Sequence, residues 1–562
     1  MKHLFIVLLF LLSFILNAQD EKRIEFIGGA RSVLSQSSID TEKEDTVTAK
    51  KQAGGYALID LGIKIKPSTS TEIVGMFRIK NDFGGFWGSG VTFDIRQLYV
   101  KGIAAKKIKY QLGNIDHKLT PFTFYNHNNE ILTQSVGFNS VKQEVINYET
   151  FYSKNTWRQQ GATVDFALKF PNQQNKVMFN GFITHLNPAG SVVLEQMFGG
   201  GKMNFVKDST YALGVNFASV FDVKGTANNT AAYRNNVTSV NYAYTLALGS
   251  INLKFDGESG ASNQFKSDKS INRKDDYFVY LNSTLSIFKN KLKIKGAYIN
   301  VGADFRSAGA QSMRVDYALS NSFYTRYTND QVIRGVSMYD LYNDATLYRS
   351  GISTGIMNYN PAINNIQPYG LATFNRAGFM GAIELNDSLK IVELKVNYNR
   401  LKEIRGQGTL LKRNFEEVKS TINYSFSRQF NWKKSQVISL SSVYQYTNRR
   451  SDFVYEDIDL NSYQINIGLE NEIVKGLSIV GNYFIINARG NEILPFRNEN
   501  GDVTNFTPVD FIQKQEFYCV GLKYNFSEHT HLSLFVEQCK TATNGFDKYG
   551  INQALIYYIM KF

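Results

Sequence analysis

Non-polar and polar side chains alternate one for one along most of this chain. In "ALIDLGIKIK", Ala57, Ile59, Leu61, Ile63 and Ile65 share one face, against Asp60, Lys64 and Lys66 on the other. "KIKGAYINVG" sets Ile294, Gly296 and Tyr298 against Lys293, Lys295 and Ala297, and "IVELKVNYNR" sets Val392, Leu394, Val396 and Tyr398 against Glu393, Lys395, Asn397 and Asn399. "SYQINIGLENEI" (462–473) and "FYCVGLKYNF" (517–526) continue the pattern. A period of two is the signature of a β-strand. Lysine or glutamate at every second position means that the two faces meet different media, one apolar and one wet. Helical periodicity never persists beyond a few turns, and after residue 20 no apolar run is long enough for a membrane helix.

The connections alternate in length. Tight turns are legible at Pro67–Ser70, Pro171–Lys176, Lys207–Ser209, Lys289–Lys291, Asn386–Ser388, Asn431–Lys434, Val474–Gly476 and Ser527–His531. Between them lie long polar segments, Asp116–Thr156, Gly302–Asn375 and Asn487–Thr507 among them. Short turns at one end and long loops at the other are the layout of a transmembrane β-barrel. Hairpins around the short turns, with a first strand near Arg23–Leu34 and a final strand at the C-terminus, predict an all-β antiparallel barrel of about 22 strands, within a range of roughly 18 to 22.

The ends of the chain sharpen this reading. "MKHLFIVLLFLLSFILNAQD" has a basic start, an apolar core from Leu4 to Leu16 and a small residue at Ala18, the pattern of a secretory signal peptide covering residues 1–18. The barrel domain then spans 19–562. Strand-like sequence begins at "RIEFIGGARSVL", which leaves no room for an N-terminal plug domain of the kind carried by TonB-dependent transporters. The final strand, "INQALIYYIMKF", places Ala554, Ile556, Tyr558, Met560 and Phe562 on one face, with Gln553, Tyr557 and Lys561 on the other. On these residues the chain resembles the porin-like outer-membrane β-barrels of Gram-negative bacteria, whose last strand ends in an aromatic residue after alternating apolar positions. The resemblance implies residence in the outer membrane after export to the periplasm, and contact with its lipid. It also implies that Ala554, Ile556, Tyr558, Met560 and Phe562 act as the sorting signal read by the barrel-assembly machinery.

Composition adds a charge argument. Glycine (43), phenylalanine (41) and tyrosine (33) are abundant, proline (8) is scarce, and the mean hydropathy is −0.26, which fits two-faced strands. The formal charge is +13, or +12 without Lys2 of the signal segment. Basic residues such as Lys64, Lys66, Arg78, Lys80, Arg96, Lys295, Lys395 and Lys523 fall in the inward set of their strands. Rings of basic side chains lower the barrier for anions in a pore. Lysines near strand ends also reach lipid headgroups, so charge alone does not define a pore. No reading module accompanies the basic balance, so nucleic acid is not an expected partner.

Gly302–Asn375 stands apart. It holds five arginines (Arg306, Arg314, Arg326, Arg334 and Arg349), five aspartates and eight tyrosines, and no lysine. Guanidinium groups that pair with carboxylates or stack on tyrosine favour arginine, so a folded loop is expected, capping the mouth or dipping into the barrel. Long aromatic loops (116–156 and 302–375) could equally receive protein partners on the outer side.

Catalytic motifs are weak. "GISTG" (351–355) matches G-x-S-x-G but lacks a following helix and a nearby histidine. "GGGKMN" (199–204) has Met203 where a phosphate loop needs Ser or Thr, and reads as a flexible strand end. His529 and His531, at a turn beside Glu528, are too few donors for a metal. No enzyme activity, metal or cofactor is expected. Cys519 and Cys539 both fall in the inward set, and a register pairing Phe526 with Leu532 sets them opposite each other, where they could bridge or stay free.

The expected function is a porin-like channel for passive diffusion of small anionic or zwitterionic solutes, with Arg78, Arg96 and Lys109 on the wall and Arg306, Arg314, Arg326 and Arg334 on the loop lining the pore. The alternative is a structural or docking subunit of a larger outer-membrane export or assembly complex, its lumen closed by loops.

Overall fold

The computed structural model describes residues 23–41, 51–84, 90–127, 136–171, 175–208, 210–228, 231–267, 273–310, 314–315, 348–349, 352, 355–356, 359–387, 389–497, 503–543 and 548–562. The signal segment, Arg326, Arg334 and Ser353 of "GISTG" lie outside the described residues.

The strands in chain order are β1 (Ile24–Thr41), β2 (Lys51–Ser68), β3 (Thr71–Asp82), β4 (Val91–Ala104), β5 (Ile108–His117), β6 (Trp157–Lys169), β7 (Asn175–Asn187), β8 (Glu195–Lys207), β9 (Tyr211–Val223), β10 (Tyr233–Leu248), β11 (Ile251–Lys266), β12 (Lys274–Ile287) and β13 (Leu292–Val301). A two-residue pair, β14 (Arg314–Val315) and β15 (Tyr348–Arg349), stands alone. Then come β16 (Arg376–Asn386), β17 (Val392–Lys402), β18 (Asn414–Ser425), β19 (Gln436–Arg449), β20 (Ile458–Val474), β21 (Leu477–Arg497), β22 (Val503–Ser527), β23 (Thr530–Thr543) and β24 (Tyr549–Lys561). Apart from β14 and β15, each strand pairs antiparallel with its neighbours in the chain, and β24 returns to β1 from Gly29↔Lys561 to Thr41↔Tyr549. The result is a closed barrel of 22 strands, the upper value of the expected range. Closure leaves no sheet edge at the two chain ends.

The period-two pattern sorts the faces as the sequence requires. Outward positions stay exposed although apolar: Ile59, Leu61, Ile63 and Ile65 on β2, Phe217 on β9, Val520 and Leu522 on β22, and Ile556 on β24. Such a surface is stable only against lipid. The tight turns gather at the end where the chain terminates. The long connections gather at the other.

Two expectations about local structure change. The described residues of Asn487–Thr507 are strand, not loop: β21 and β22 continue their ladder from Asn487↔Lys514 to Phe496↔Asn505. Their outer neighbours stop short, at Leu460↔Gly490 and Gln513↔Thr543. The upper hairpin therefore rises beyond its neighbours in the wall with one face packed inward, where Glu492 is fully buried against Asn365 and Arg413, and this packing on polar groups hides it from a pattern built on one apolar face. "GGGKMN" is not a strand end but the middle of β8, where a Cβ on Gly200 would meet the Phe217 carbonyl oxygen at 2.2 Å.

The interior is not a uniform wet channel. The described parts of the 118–156 connection turn inward and include a helix, α1 (Phe138–Glu149). The described parts of 302–375 also fold inside. Three apolar clusters join them to the wall, built around Phe138 with Phe517 and Phe535, around Phe122 with Phe278 and Phe305, and around Phe124 with Phe182 and Phe198. Hence the inward face of the last strand, expected to be wet, buries Leu555, Tyr557 and Ile559.

Candidate functional site

The barrel interior is organised by α1. It runs across the inner wall formed by β20–β24 and β1–β3. Its first N–H groups lack a side-chain cap of their own, and the wall supplies partners. The Asn139 N–H donates to Asn482 Oδ1 (3.2 Å), Asn139 Nδ2 donates to Asn466 Oδ1 (3.0 Å), and the Val136 N–H donates to Ser439 Oγ (3.1 Å). Gly137 sits at φ 83°, where a Cβ would press on Asn482 at 2.8 Å and Val480 at 3.0 Å, so only glycine fits the entry. Phe138 then stacks against Phe517 and meets Phe535 edge-on, with ring centroids 5.7 and 4.5 Å away. Lys142, fully buried, pairs with Glu537 at 3.0 Å, and Glu144 pairs with Lys561.

The C-terminal end of α1 carries Tyr148 and Glu149 into a cluster of charges. Arg78 grips Asp60 with two bonds of 2.8 Å and reaches Glu149 Oε2 at 2.7 Å. Arg31 also pairs with Glu149 and donates to Tyr56 Oη (2.9 Å), while the Tyr148 hydroxyl donates to Asp60. Arg96 donates to the Tyr148 carbonyl oxygen at 2.9 Å. A glutamate at a helix C-terminus is disfavoured by the dipole. Burial also pushes the Glu149 carboxyl up, but hydrogen bonds from Arg78 and the charge of Arg31 outweigh that and hold it at about 2. Burial and the bond to Asp60 push the Tyr148 hydroxyl up to about 12.

These contacts redefine the sequence candidates. Arg78 and Arg96 do face inward, yet they anchor α1 instead of lining free water, because Asp60 and Glu149 engage them. Lys109 lies at the turn end of β5, exposed on the inward set. Arg306 is buried in its own loop, donating to the Ala303 and Phe305 carbonyl oxygens (3.2 and 2.8 Å) and stacking on Phe374 at 4.3 Å. Arg314 belongs to β14, and only its backbone is described. Arg31, Asp60, Tyr148 and Glu149 were not singled out from sequence. The signal was there: in "FNSVKQEVINYE", Phe138, Val141, Val145 and Ile146 repeat at helical spacing, and Asp60 is an acid among inward lysines.

Across the lumen from α1, the inner wall is amide-rich. Asn180, Asn204, Asn216, Asn241 and Asn282 project inward from β7 to β12, with Lys202 among them. Asn216 donates to Ser239 Oγ and Asn241 Oδ1, each at 3.0 Å, and Asn282 donates to Asp256 Oδ1 at 3.1 Å. Some lysines on this wall and around the turn end face carboxylates, as in Lys254–Asp256 (3.1 Å) and Lys295–Glu384 (2.6 Å). Such a surface holds water and exchanges hydrogen bonds with polar solutes. Among the described residues, no three His, Cys, Asp or Glu side chains gather as metal ligands.

The cysteines are not opposite each other. β22 and β23 pair through Asn525↔His531 and Ser527↔Thr530, which sets Cys519 against Glu537 and Cys539 against Phe517. The turn is tighter than a Phe526–Leu532 pairing assumes, so the register moves by two residues. Both cysteines are buried, and neither is in a disulfide.

No family model and no curated protein matches this sequence. Among solved structures, the chain is similar to the outer membrane protein OprD from Pseudomonas aeruginosa, at 10% identity and a TM-score of 0.37, over 97% of this chain and 96% of that one. It is also similar to OccK5 (OpdH) of the same organism, at 10% identity and a TM-score of 0.34, over 96% and 98% of the two chains. OpdK, another outer membrane protein of that organism, gives 9% identity and a TM-score of 0.32, over 95% and 99%.

Proposed function

We propose that this chain is an outer-membrane channel for passive diffusion of small anionic or zwitterionic solutes, working without a covalent step. The observation that carries the reading is the amide-rich wall of β7–β12 facing the inward loops: it offers polar solutes hydrogen bonds along one side, while α1 narrows the other. Lys109 and Lys202 on the inward set favour negative groups. The C-terminal strand, from Ala554 to Phe562, serves as the assembly signal. The test is single-channel conductance of the refolded barrel in a planar bilayer under a salt gradient. Steady conductance with an anion-favouring reversal potential supports the channel. Silence at all voltages refutes it.

One observation favours a second reading, a docking subunit. Two neighbouring long loops, tied by the bond from Thr409 to Glu456 (2.9 Å), expose Leu410 (96%), Phe453, Val454 (87%) and Tyr455. An apolar knob of this kind at the long-loop end suits a protein partner. A silent barrel that co-purifies with a second protein, and loses it on Val454→Asp, would favour this reading.

A further inference from the structure

The barrel wall is unzipped along one stretch. β4 and β5 pair only from Tyr99↔Gly113 to Ala104↔Ile108. Above that, Val91–Leu98 of β4 stay paired with β3 up to Asn81↔Val91, apart from a bulge at Arg96, and Asn114–His117 of β5 stay paired with β6. The two lips are thus each held from behind, with no backbone ladder between them. Eight residues of strand are roughly 26 Å of lip. Gly113, at φ 96°, starts the divergence, and the Leu98 N–H donates not to backbone but to Asn114 Oδ1 at 2.6 Å. An open edge inside a lipid-facing wall needs a reason, because lipid supplies no hydrogen bonds.

What occupies the opening is specific. Phe151, at φ 54°, lies between two guanidinium groups, Arg96 of β4 (4.1 Å) and Arg158 of β6 (4.3 Å). Arg158 is neutralised by Asp116. Arg96 is not neutralised in the same way. Its cluster holds three guanidinium groups, Arg31, Arg78 and Arg96, against two carboxylates, Asp60 and Glu149. Those carboxylates stand 3.8 Å from Arg96, against 2.7 and 2.8 Å from Arg78, and Arg96 Nε is buried without a hydrogen-bond partner. Asp94, opposite Arg78 in the ladder, is exposed, and Lys80 beside it pairs with Asp82. The lips outside are apolar and bare: Phe93 is 74% exposed, Ile95 65%, Leu98 55% and, across the seam, Leu112 52%.

We propose that this seam is a lateral site for a monoanionic acyl amphiphile entering from the outer leaflet. Its head group displaces Phe151 and pairs with the Arg96 guanidinium, and its tail lies between the Phe93, Ile95, Leu98 and Leu112 side chains. One uncompensated positive charge behind an apolar slot matches one negative head on one apolar chain. The site depends on the barrel being lipid-embedded and not on what crosses the lumen.

The test uses the full-length barrel in phosphatidylcholine vesicles with three spin-labelled probes: stearate, phosphatidylglycerol and phosphatidylcholine. The wild-type barrel should immobilise stearate in preference to phosphatidylcholine by about fivefold or more. Arg96→Gln should bring that ratio to within about twofold, whereas Arg96→Lys, which keeps the charge, should retain most of it. Phe151→Ala should raise it. Heat-modifiable migration on gels checks that each variant is folded. Selectivity shared by phosphatidylglycerol would support the same site with an anionic phospholipid as its source. Equal immobilisation of all three probes, or selectivity unchanged in folded Arg96→Gln, overturns the proposal.

Discussion

Glu149 should decide whether α1 stays docked. Its carboxyl titrates at about 2 in place of 4.5, because Arg78 and Arg31 outweigh the burial that would raise it. The difference amounts to about 3 kcal/mol of preference for the docked, ionised form. Glu149→Gln removes the charge but keeps the shape, leaving Arg31 and Arg78 facing only Asp60 across a buried space. The equilibrium for local release of the helix should then rise by about two orders of magnitude at neutral pH. Hydrogen exchange read by mass spectrometry on peptides covering 138–149 measures this directly. Strand peptides from β9 to β12 act as the internal control and should keep their protection. The pH dependence has a defined sign. A depressed carboxyl stabilises docking fully above its unfolded value near 4.5, and that contribution fades as pH falls from there toward about 2. Pepsin cleavage near Tyr148–Phe151 should therefore be slow at pH 4 and fast at pH 2. A change in helix exchange of less than about threefold in Glu149→Gln would refute the reasoning, as would an equal loss in the control strands.

Other outcomes follow from the same interior. Lys142→Ala strands the buried Glu537 carboxylate and should cost about 3–5 kcal/mol, seen as lowered thermal resistance on gels, whereas Lys142→Met with Glu537→Gln should recover most of it. In planar bilayers, Lys202→Glu should move the reversal potential toward cations. Arg78→Gln should chiefly add current noise, because Arg78 holds the helix and does not face open water. Ellman's reagent should find two reactive thiols per chain after denaturation without reductant, and none in the native barrel, since Cys519 and Cys539 are buried and unbridged. Removing Phe562 should lower the fraction of chain that reaches the folded, heat-modifiable form in cells, while purified chain still refolds in detergent.

The barrel was legible because its outer wall obeys one rule throughout: every second residue meets lipid, whatever happens within. That is why Ala57–Lys66 and Ile391–Arg400 could be assigned strand and face from sequence. The lumen obeys no comparable period. Leu555, Tyr557 and Ile559 alternate as regularly as wet positions do, and only the arrival of Phe138 and Val141 from a connection some 400 residues earlier makes them a core. Arg78 and Arg96 were rightly placed on the inward set. Their role could not be read there, because their partner Glu149 lies on a loop whose docking site depends on tertiary packing. The cysteine pairing failed for a narrower reason: one tighter turn at Glu528–His529 moves every partner on the strand, and residue type does not report turn length.

Helix α1 touches both ends of the polypeptide at once. Lys142 holds Glu537 on β23 and Glu144 meets Lys561 on β24, while Glu149 is held by Arg31 on β1 and Arg78 on β3. Between those two sets of ion pairs runs the junction where the last strand meets the first, residues more than 500 positions apart in the chain. The helix is therefore a clasp laid across the closing seam. A partly inserted sheet, still open at β1 and β24, has only half of the clasp's partners within reach. Final closure and helix docking should then be mutually reinforcing steps, so that the cylinder shuts and its interior sets in one cooperative event.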